Sequence, residues 1–215
     1  LFHNRGKNNT GIGSEALQRN KTGSYNTGVG GGVFYYHQKG SFNTAIGYAA
    51  GLHNIKGNSN VFIGYKAGYY EKGSNKLYID NSDTKKPLIY GNFATNTLKV
   101  NGRMYATKFI TSSDARLKTD IRPLNNALDT VLSLQGKQYR LIDEAVNQTD
   151  IGLIAQDVEK VLPQIVTQSE DGYKAIDYQS LTAVLIEAMK EQQGQMTTQQ
   201  DQIASLEKEN TQLKA

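Results

Sequence analysis

Small and hydrophobic residues recur along the first part of the chain at a spacing that matches neither a helix nor a simple strand. Setting Asn9, Asn26, Asn43 and Asn60 in register gives a period of 17 residues. Gly6, Gly23, Gly40 and Gly57 stand three residues before each asparagine. Ile12, Val29, Ile46 and Ile63 stand three after it, followed at once by Gly13, Gly30, Gly47 and Gly64. Four positions that keep phase through four turns predict a coil: a short strand with one inward β-branched residue per turn, a glycine where backbones approach closely, and an Asn or Gly at the bend. Small residues after the strand, Ala49-Ala50-Gly51 and Ala67-Gly68, predict tight packing of neighbouring coils or chains. One such coil buries too little apolar surface to stand alone, so its stability comes from stacking.

After residue 70 the period breaks. Short strand patterns follow at Lys76-Leu77-Tyr78-Ile79-Asp80, Pro87-Leu88-Ile89-Tyr90-Gly91 and Thr97-Leu98-Lys99-Val100-Asn101-Gly102, each bounded by turn-forming residues. From Thr182 the pattern is helical, with Thr182, Met189, Met196, Ile203 and Asn210 at heptad position a and Leu185, Gln192, Gln199, Leu206 and Leu213 at d. Polar residues at several of these positions, and Gly194, weaken helix association while setting its register. Ile203, Leu206 and Leu213 lie beyond the globular part, where only partner helices would cover them. The expected organisation is a parallel β-roll or β-helix of repeats over residues 1–70, a β-rich neck over 71–112, an α+β domain over 113–180 and a coiled-coil helix over 181–215.

Composition sharpens that division. The net charge of +4 over 215 residues hides an asymmetry: residues 1–112 carry 14 Lys/Arg against 4 Asp/Glu, and residues 113–215 carry 10 against 16. Seventeen of the 21 glycines and 10 of the 13 tyrosines also precede residue 113, so two differently built modules meet there. The basic half could attract anionic glycans or nucleic acid, but its lysines are scattered over the repeats rather than clustered, which favours a solvated surface. Its tyrosines are either glycan-stacking platforms or, as is commoner in a repeat, packing for the next coil. The absence of cysteine excludes disulfides and thiolate metal sites, and no cofactor or metal is expected. No run of about 18 apolar residues is present to span a bilayer. The N-terminus, Leu1-Phe2-His3-Asn4-Arg5, lacks the apolar core of a signal peptide and suggests a fragment of a longer protein.

Candidate chemistry sits at the boundary, in Thr111-Ser112-Ser113-Asp114-Ala115-Arg116-Leu117-Lys118. A serine hydroxyl needs a base to act as a nucleophile, and a lysine amine serves only when burial or nearby cations lower its pKa. Ser113 and Lys118 are five apart, so a turn after the serine is needed to bring them together, and Asp114 and Arg116 are placed to fix it. By spacing alone a polar linker with a helix N-cap is the plain alternative. No His/Asp constellation accompanies a serine, and His3, His37 and His53 all lie in the repeats, so a free hydrolase is not expected.

Two resemblances extend this reading. Asn43-Thr44-Ala45-Ile46-Gly47-Tyr48-Ala49-Ala50-Gly51 and Asn60-Val61-Phe62-Ile63-Gly64-Tyr65-Lys66-Ala67-Gly68 resemble the head repeats of trimeric autotransporter adhesins, which implies a trimeric parallel β-roll over roughly residues 6–70; Gly30-Gly31-Gly32-Val33-Phe34-Tyr35-Tyr36 departs from that pattern. Residues 113–215 resemble the intramolecular chaperone domain of phage endosialidases and other tail fibres, also classed as the S74 peptidase family. The matching residues are Ser113-Asp114, Arg116, Lys118 and Ile121, then Gly152-Leu153-Ile154-Ala155-Gln156-Asp157-Val158, Pro163, Val166, Ile176-Asp177-Tyr178, Leu181 and Leu185-Ile186-Glu187-Ala188-Met189-Lys190.

This second resemblance implies a single-turnover serine peptidase in which Ser113 attacks the carbonyl of Ser112 with Lys118 as base. Asp114, Arg116, Gln156 and Asp157 are candidate site-shaping residues. It also implies the C-terminal part of a homotrimeric phage tail fibre, tailspike or bacterial surface adhesin, on a virion or cell surface, meeting a host glycan or receptor and neither nucleic acid nor membrane. A tip that trimerises without cleavage is the alternative. The myelin regulatory factor family has a similar self-cleaving domain, but its DNA-binding region and transmembrane helix have no counterpart here.

Overall fold

The computed structural model describes residues 4–142, 148–169 and 171–214, so Leu1-Phe2-His3 lie outside the described residues. The chain divides into two compact units, Leu1–Thr111 and Ser112–Ala215.

The first unit is a β-solenoid. Strands β1 (Thr10–Ile12), β2 (Thr27–Val29), β3 (Thr44–Ile46) and β4 (Val61–Ile63) pair in parallel, residue against residue 17 further on. The 17-residue repeat is therefore one coil. The ladder runs one rung past the point where the sequence period lapses, because β5 (Lys76–Ile79) pairs in parallel with β4 at an offset of 16, Val61 opposite Leu77. β6 (Ile89–Asn92) and β7 (Thr97–Val100) then turn back in antiparallel pairing, closing a seven-stranded sheet with a meander.

The inward residue of each strand is not the β-branched one. Asn26, Asn43 and Asn60 are fully buried. Each bridges successive coils: Asn43 Nδ2 donates to Gly57 O at 2.8 Å, and its Oδ1 accepts from Asn60 N at 2.9 Å. Side chains alternate along a strand. With the asparagine turned in, the residue two further on also faces inward, namely Gly11, Gly28, Ala45 and Phe62, and the third faces out. Ile12, Ile46 and Ile63 are accordingly 59%, 45% and 37% exposed. A buried amide that bridges two coils meets a backbone carbonyl and a backbone N–H together, each costing about 1–3 kcal/mol if left unpaired, which outweighs the roughly 1.5–3 kcal/mol from burying one isoleucine.

The core balances volume between two columns. Leu17, Phe34, Gly51 and Gly68 occupy one position in successive coils, opposite Gly11, Gly28, Ala45 and Phe62. Where the strand offers glycine, Leu17 and Phe34 fill the interior. Where it offers Phe62, the facing residue is Gly68, at which an added Cβ would stand 2.3 Å from that ring. The small residues after β3 and β4 thus make room for Phe34 and Phe62, whose rings meet edge to face at 6.0 Å. The divergent stretch Gly30–Tyr36 stays in phase, with Val33 and Phe34 buried.

His37 stands in the column of Asn20 and Asn54 and is fully buried. Its Nε2 lies 2.9 Å from Gly40 O and its Nδ1 against Asn54 O, so a neutral ring, with one N–H, satisfies only one of two carbonyls. Burial nonetheless outweighs the two carbonyls and pushes its pKa below the ordinary 6.5. The unfolded chain then binds the extra proton first, so solenoid stability is present above about pH 6.5 and falls as pH drops toward the folded pKa. His37→Asn, which restores the column's amide, is expected to flatten this dependence, measured as melting temperature at pH 7.5 against pH 5. An equal fall in both proteins would assign the loss to other groups.

The second unit is α+β. A 3-10 turn at Ala115–Leu117 is followed by α1 (Ala127–Leu132), β8 (Lys137–Tyr139) paired with β9 (Asp150–Gly152), α2 (Ala155–Val161), and the hairpin β10 (Val166–Gln168) with β11 (Lys174–Ile176). The long helix α3 (Leu181–Leu213) ends the unit. Its first turns pack on α1 through Val184 and Ala188 against Ala127, Leu128 and Val131. Past those turns the helix leaves the body of the unit, and its heptad positions Met189, Met196, Ile203, Leu206 and Leu213 stay 48–82% exposed.

Candidate functional site

The boundary motif folds into a short loop closed by Asp114. That carboxylate caps the 3-10 turn, accepting from Arg116 N at 2.9 Å, and holds the guanidinium of Arg116 in a fork, Nε to Oδ1 at 3.0 Å and Nη2 to Oδ2 at 2.7 Å. The Arg116 side chain, then its backbone N–H, keep the Asp114 carboxyl below the usual carboxylate range. Backbone bonds from Leu117 N to Asp114 O and from Lys118 N to Ala115 O, both 3.1 Å, complete the turn.

Its consequence is a single contact: Lys118 Nζ donates to Ser113 Oγ at 2.6 Å. Residues five apart in sequence meet because the 3-10 turn between them, Ala115–Leu117, folds the chain back. Ser112, Ser113, Asp114, Arg116 and Lys118 are all exposed in the single chain. Gln156 and Asp157 lie in the first turn of α2, also exposed, and Asp157 pairs with Lys160 at 3.1 Å. Among the described residues no hydrogen bond links either of them to Ser113 or Lys118.

Two residues that sequence reasoning gave no role of their own hold the unit together. Glu191, one helical turn beyond Ala188, accepts from Ala127 N at 3.0 Å and Leu128 N at 2.8 Å, supplying the carboxylate cap that Asn126 does not provide for α1. The only sequence signal is its place on the Val184–Ala188 face. The two N–H groups, Leu128 first, lower the Glu191 pKa. Its stabilisation is therefore present above the ordinary carboxylate range and lost as pH falls through the folded pKa. Glu191→Gln is expected to lower the melting temperature of this unit at pH 7 and to narrow its difference between pH 7 and pH 3; an unchanged melting temperature would remove the cap from the account. Tyr178 is the other, its hydroxyl accepting from Leu153 N at 2.8 Å and so tying the start of α2 to the segment before α3.

Among the described residues no helix is long and apolar enough to cross a membrane, and no group of three His, Asp or Glu side chains is placed to hold a metal.

A β-solenoid thus precedes an α+β unit that has a Ser-Lys contact near its start and a long terminal helix. Residues 113–167 match the Peptidase_S74 family model, chaperone of endosialidase. This part of the chain is thus similar to a chaperone domain of tail-fibre type. Among curated proteins it is similar to the long tail fiber protein Gp37 of Enterobacteria phage K3, 37% identical over 116 residues, covering 47% of this chain and 9% of the phage protein. The Salmonella phage S16 counterpart is 37% identical over 93 residues, 39% of this chain and 12% of that protein, and that of Enterobacteria phage M1 is 38% identical over 87 residues, 37% and 35%. The chain thus spans no more than about a third of the length of these relatives.

Proposed function

We propose that the chain is part of a homotrimeric phage tail fibre, borne on the virion, whose chaperone domain drives assembly and then releases itself by cleavage between Ser112 and Ser113. The observation that carries the reading is the 2.6 Å contact between Lys118 Nζ and Ser113 Oγ beside the Ser112–Ser113 bond. In the reaction the neutral lysine amine takes the Ser113 Oγ proton as Oγ attacks the Ser112 carbonyl carbon. The tetrahedral intermediate collapses with breakage of the C–N bond, and Lys118 returns the proton to the departing Ser113 nitrogen. Water then hydrolyses the resulting ester, leaving a Ser112 carboxylate and the Ser113 hydroxyl. Asp114 and Arg116 hold the turn that sets the approach.

Burial is what makes a lysine a base at neutral pH, and both partners are exposed in one chain. The missing wall is assigned to other copies, which makes cleavage follow trimerisation. Two unpartnered apolar faces support that assembly. One is the outward column Ile12, Val29, Ile46 and Ile63 of the solenoid; the other is the exposed heptad face of α3, proposed to form a coiled coil. A trimeric module raises the effective concentration of the three fibre chains and sets their register, and its loss afterwards leaves a fibre that is kinetically stable. Intact mass and sedimentation of freshly expressed protein test this. Trimers carrying two fragments split at Ser112–Ser113 are expected; monomers that cleave fully would sink the coupling to assembly.

The exposed tyrosines also fit a fibre that meets a host-surface glycan or receptor.

A further inference from the structure

The tyrosines of the solenoid build a groove. Tyr36, His53 and Tyr70 share one position in successive coils and stack, Tyr36 on His53 at 5.1 Å and 9°, His53 on Tyr70 at 6.2 Å and 5°. The rings of this column therefore lie across the solenoid axis. Tyr35 and Tyr69, one residue earlier in their coils, are turned by 82° and 76° from their neighbours Tyr36 and Tyr70, so their π faces look sideways. Opposite them stands Tyr48, 58% exposed and stacked on Tyr65 at 5.7 Å. Between these rows lies a groove of about 320 Å³, with Glu15 at one end. That volume is at the lower end of the roughly 300–1,000 Å³ of small-ligand sites.

Cations flank it. The Arg19 guanidinium lies 5.1 Å from the Tyr35 ring and 4.9 Å from the Tyr36 ring; Lys66 Nζ lies 5.5 Å from the Tyr69 ring and 4.0 Å from the Asp83 carboxylate, for which an anionic ligand would compete. Arg19 belongs to the first coil and Lys66 to the fourth, roughly 14 Å apart at about 4.8 Å per coil. The surrounding half of the chain has an excess of ten positive charges, 14 Lys/Arg less 4 Asp/Glu over residues 1–112. Sideways aromatic faces receive the C–H faces of sugar rings; tyrosine hydroxyls, Ser14 and Glu15 meet their hydroxyls; the flanking cations select an anionic group. A peptide strand has no free ladder to join here, since β2 to β6 are paired on both sides.

We propose that this groove binds an acidic saccharide laid along the coils. The inference deepens the fibre reading by naming a site and ligand class, and it concerns the solenoid alone. The test uses the full chain with trigalacturonate as the probe and maltotriose as the neutral control, followed by saturation-transfer NMR. Transfer to the ring C–H protons of trigalacturonate is expected, with little to maltotriose. Affinity is expected to fall about tenfold in Tyr69→Ala and severalfold in Arg19→Gln, and to persist in Tyr69→Phe with the melting temperature kept. No transfer to trigalacturonate overturns the proposal, as does undiminished binding by both Tyr48→Ala and Tyr69→Ala. So does a Tyr48→Ala that changes the oligomeric state while leaving sugar binding untouched, because the rings would then be a contact between copies. Scoring the Ser112–Ser113 cut in the same samples separates the outcomes: an empty groove with normal cleavage rejects this inference alone, and bound sugar with no cleavage rejects the self-release.

Discussion

Lys118→Ala and Ser113→Ala are each expected to yield one full-length chain, and the unaltered protein the two fragments of the proposed self-release. The loss should be complete on any practical timescale, because both residues act in one proton transfer and neither has a substitute nearby. Arg116, three residues from Ser113, is committed to the fork on Asp114 and cannot serve as a base at neutral pH. Lys118→Arg separates chemistry from charge: it keeps a cation beside Ser113 Oγ but removes the base, so it should be as inert as Lys118→Ala. Asp114→Asn is expected to slow the cut without abolishing it, since the cap on Arg116 N survives while the ion pair is lost. All four variants should still trimerise, as none lies on the solenoid column or the heptad face of α3 proposed to hold the copies together. Full cleavage by Lys118→Ala, read by denaturing electrophoresis and intact mass, would remove the lysine from the mechanism.

The second large effect is expected at Gly47. Its φ of +129° lies in a region that residues with a Cβ avoid, and an added Cβ would stand 2.3 Å from Gly64 O in the next coil. Strain and clash act together, and the opposing atom is ladder backbone that has nowhere to move. Gly47→Ala should destabilise the solenoid by about 3 kcal/mol. Gly32 supplies the control within the same fold: its φ is +63° and nothing lies within 4 Å of the added atom, so Gly32→Ala should cost about 1 kcal/mol. Thermal unfolding followed by circular dichroism distinguishes them, and equal losses would mean that coil-to-coil approach is not what the repeat glycine serves.

The repeat told most of what the first unit is, and its errors are informative. Four glycines three before each asparagine and four after each β-branched residue are legible because close approach of coils forbids a Cβ at every turn, so the constraint is written once per coil. The direction of Ile12, Ile46 and Ile63 was misread as inward. Hydrophobicity gives no sign to a three-residue strand; the sign came from Asn43 and its column, whose amides bridge coils only if they point inside. The continued pairing of β4 with β5 was likewise hidden, because one deleted residue breaks a sequence period but not a hydrogen-bonded ladder.

In the second unit the Ser113-Asp114-x-Arg116-x-Lys118 spacing and the long helical pattern after Thr182 were readable, whereas the cap that Glu191 places on α1 was not, since it joins segments more than sixty residues apart. The sequence by itself determined the 17-residue coil, the shift in composition near residue 113 and the residue types at the Ser-Lys motif, because each is a local rule repeated or concentrated in a short stretch. Only the tertiary structure decided which face of the solenoid is apolar to solvent, how Phe34 and Phe62 share one core, that Tyr35, Tyr48 and Tyr69 line a groove, and that Lys118 reaches Ser113. Each of these depends on side-chain direction or on a turn's geometry, which residue order alone does not specify.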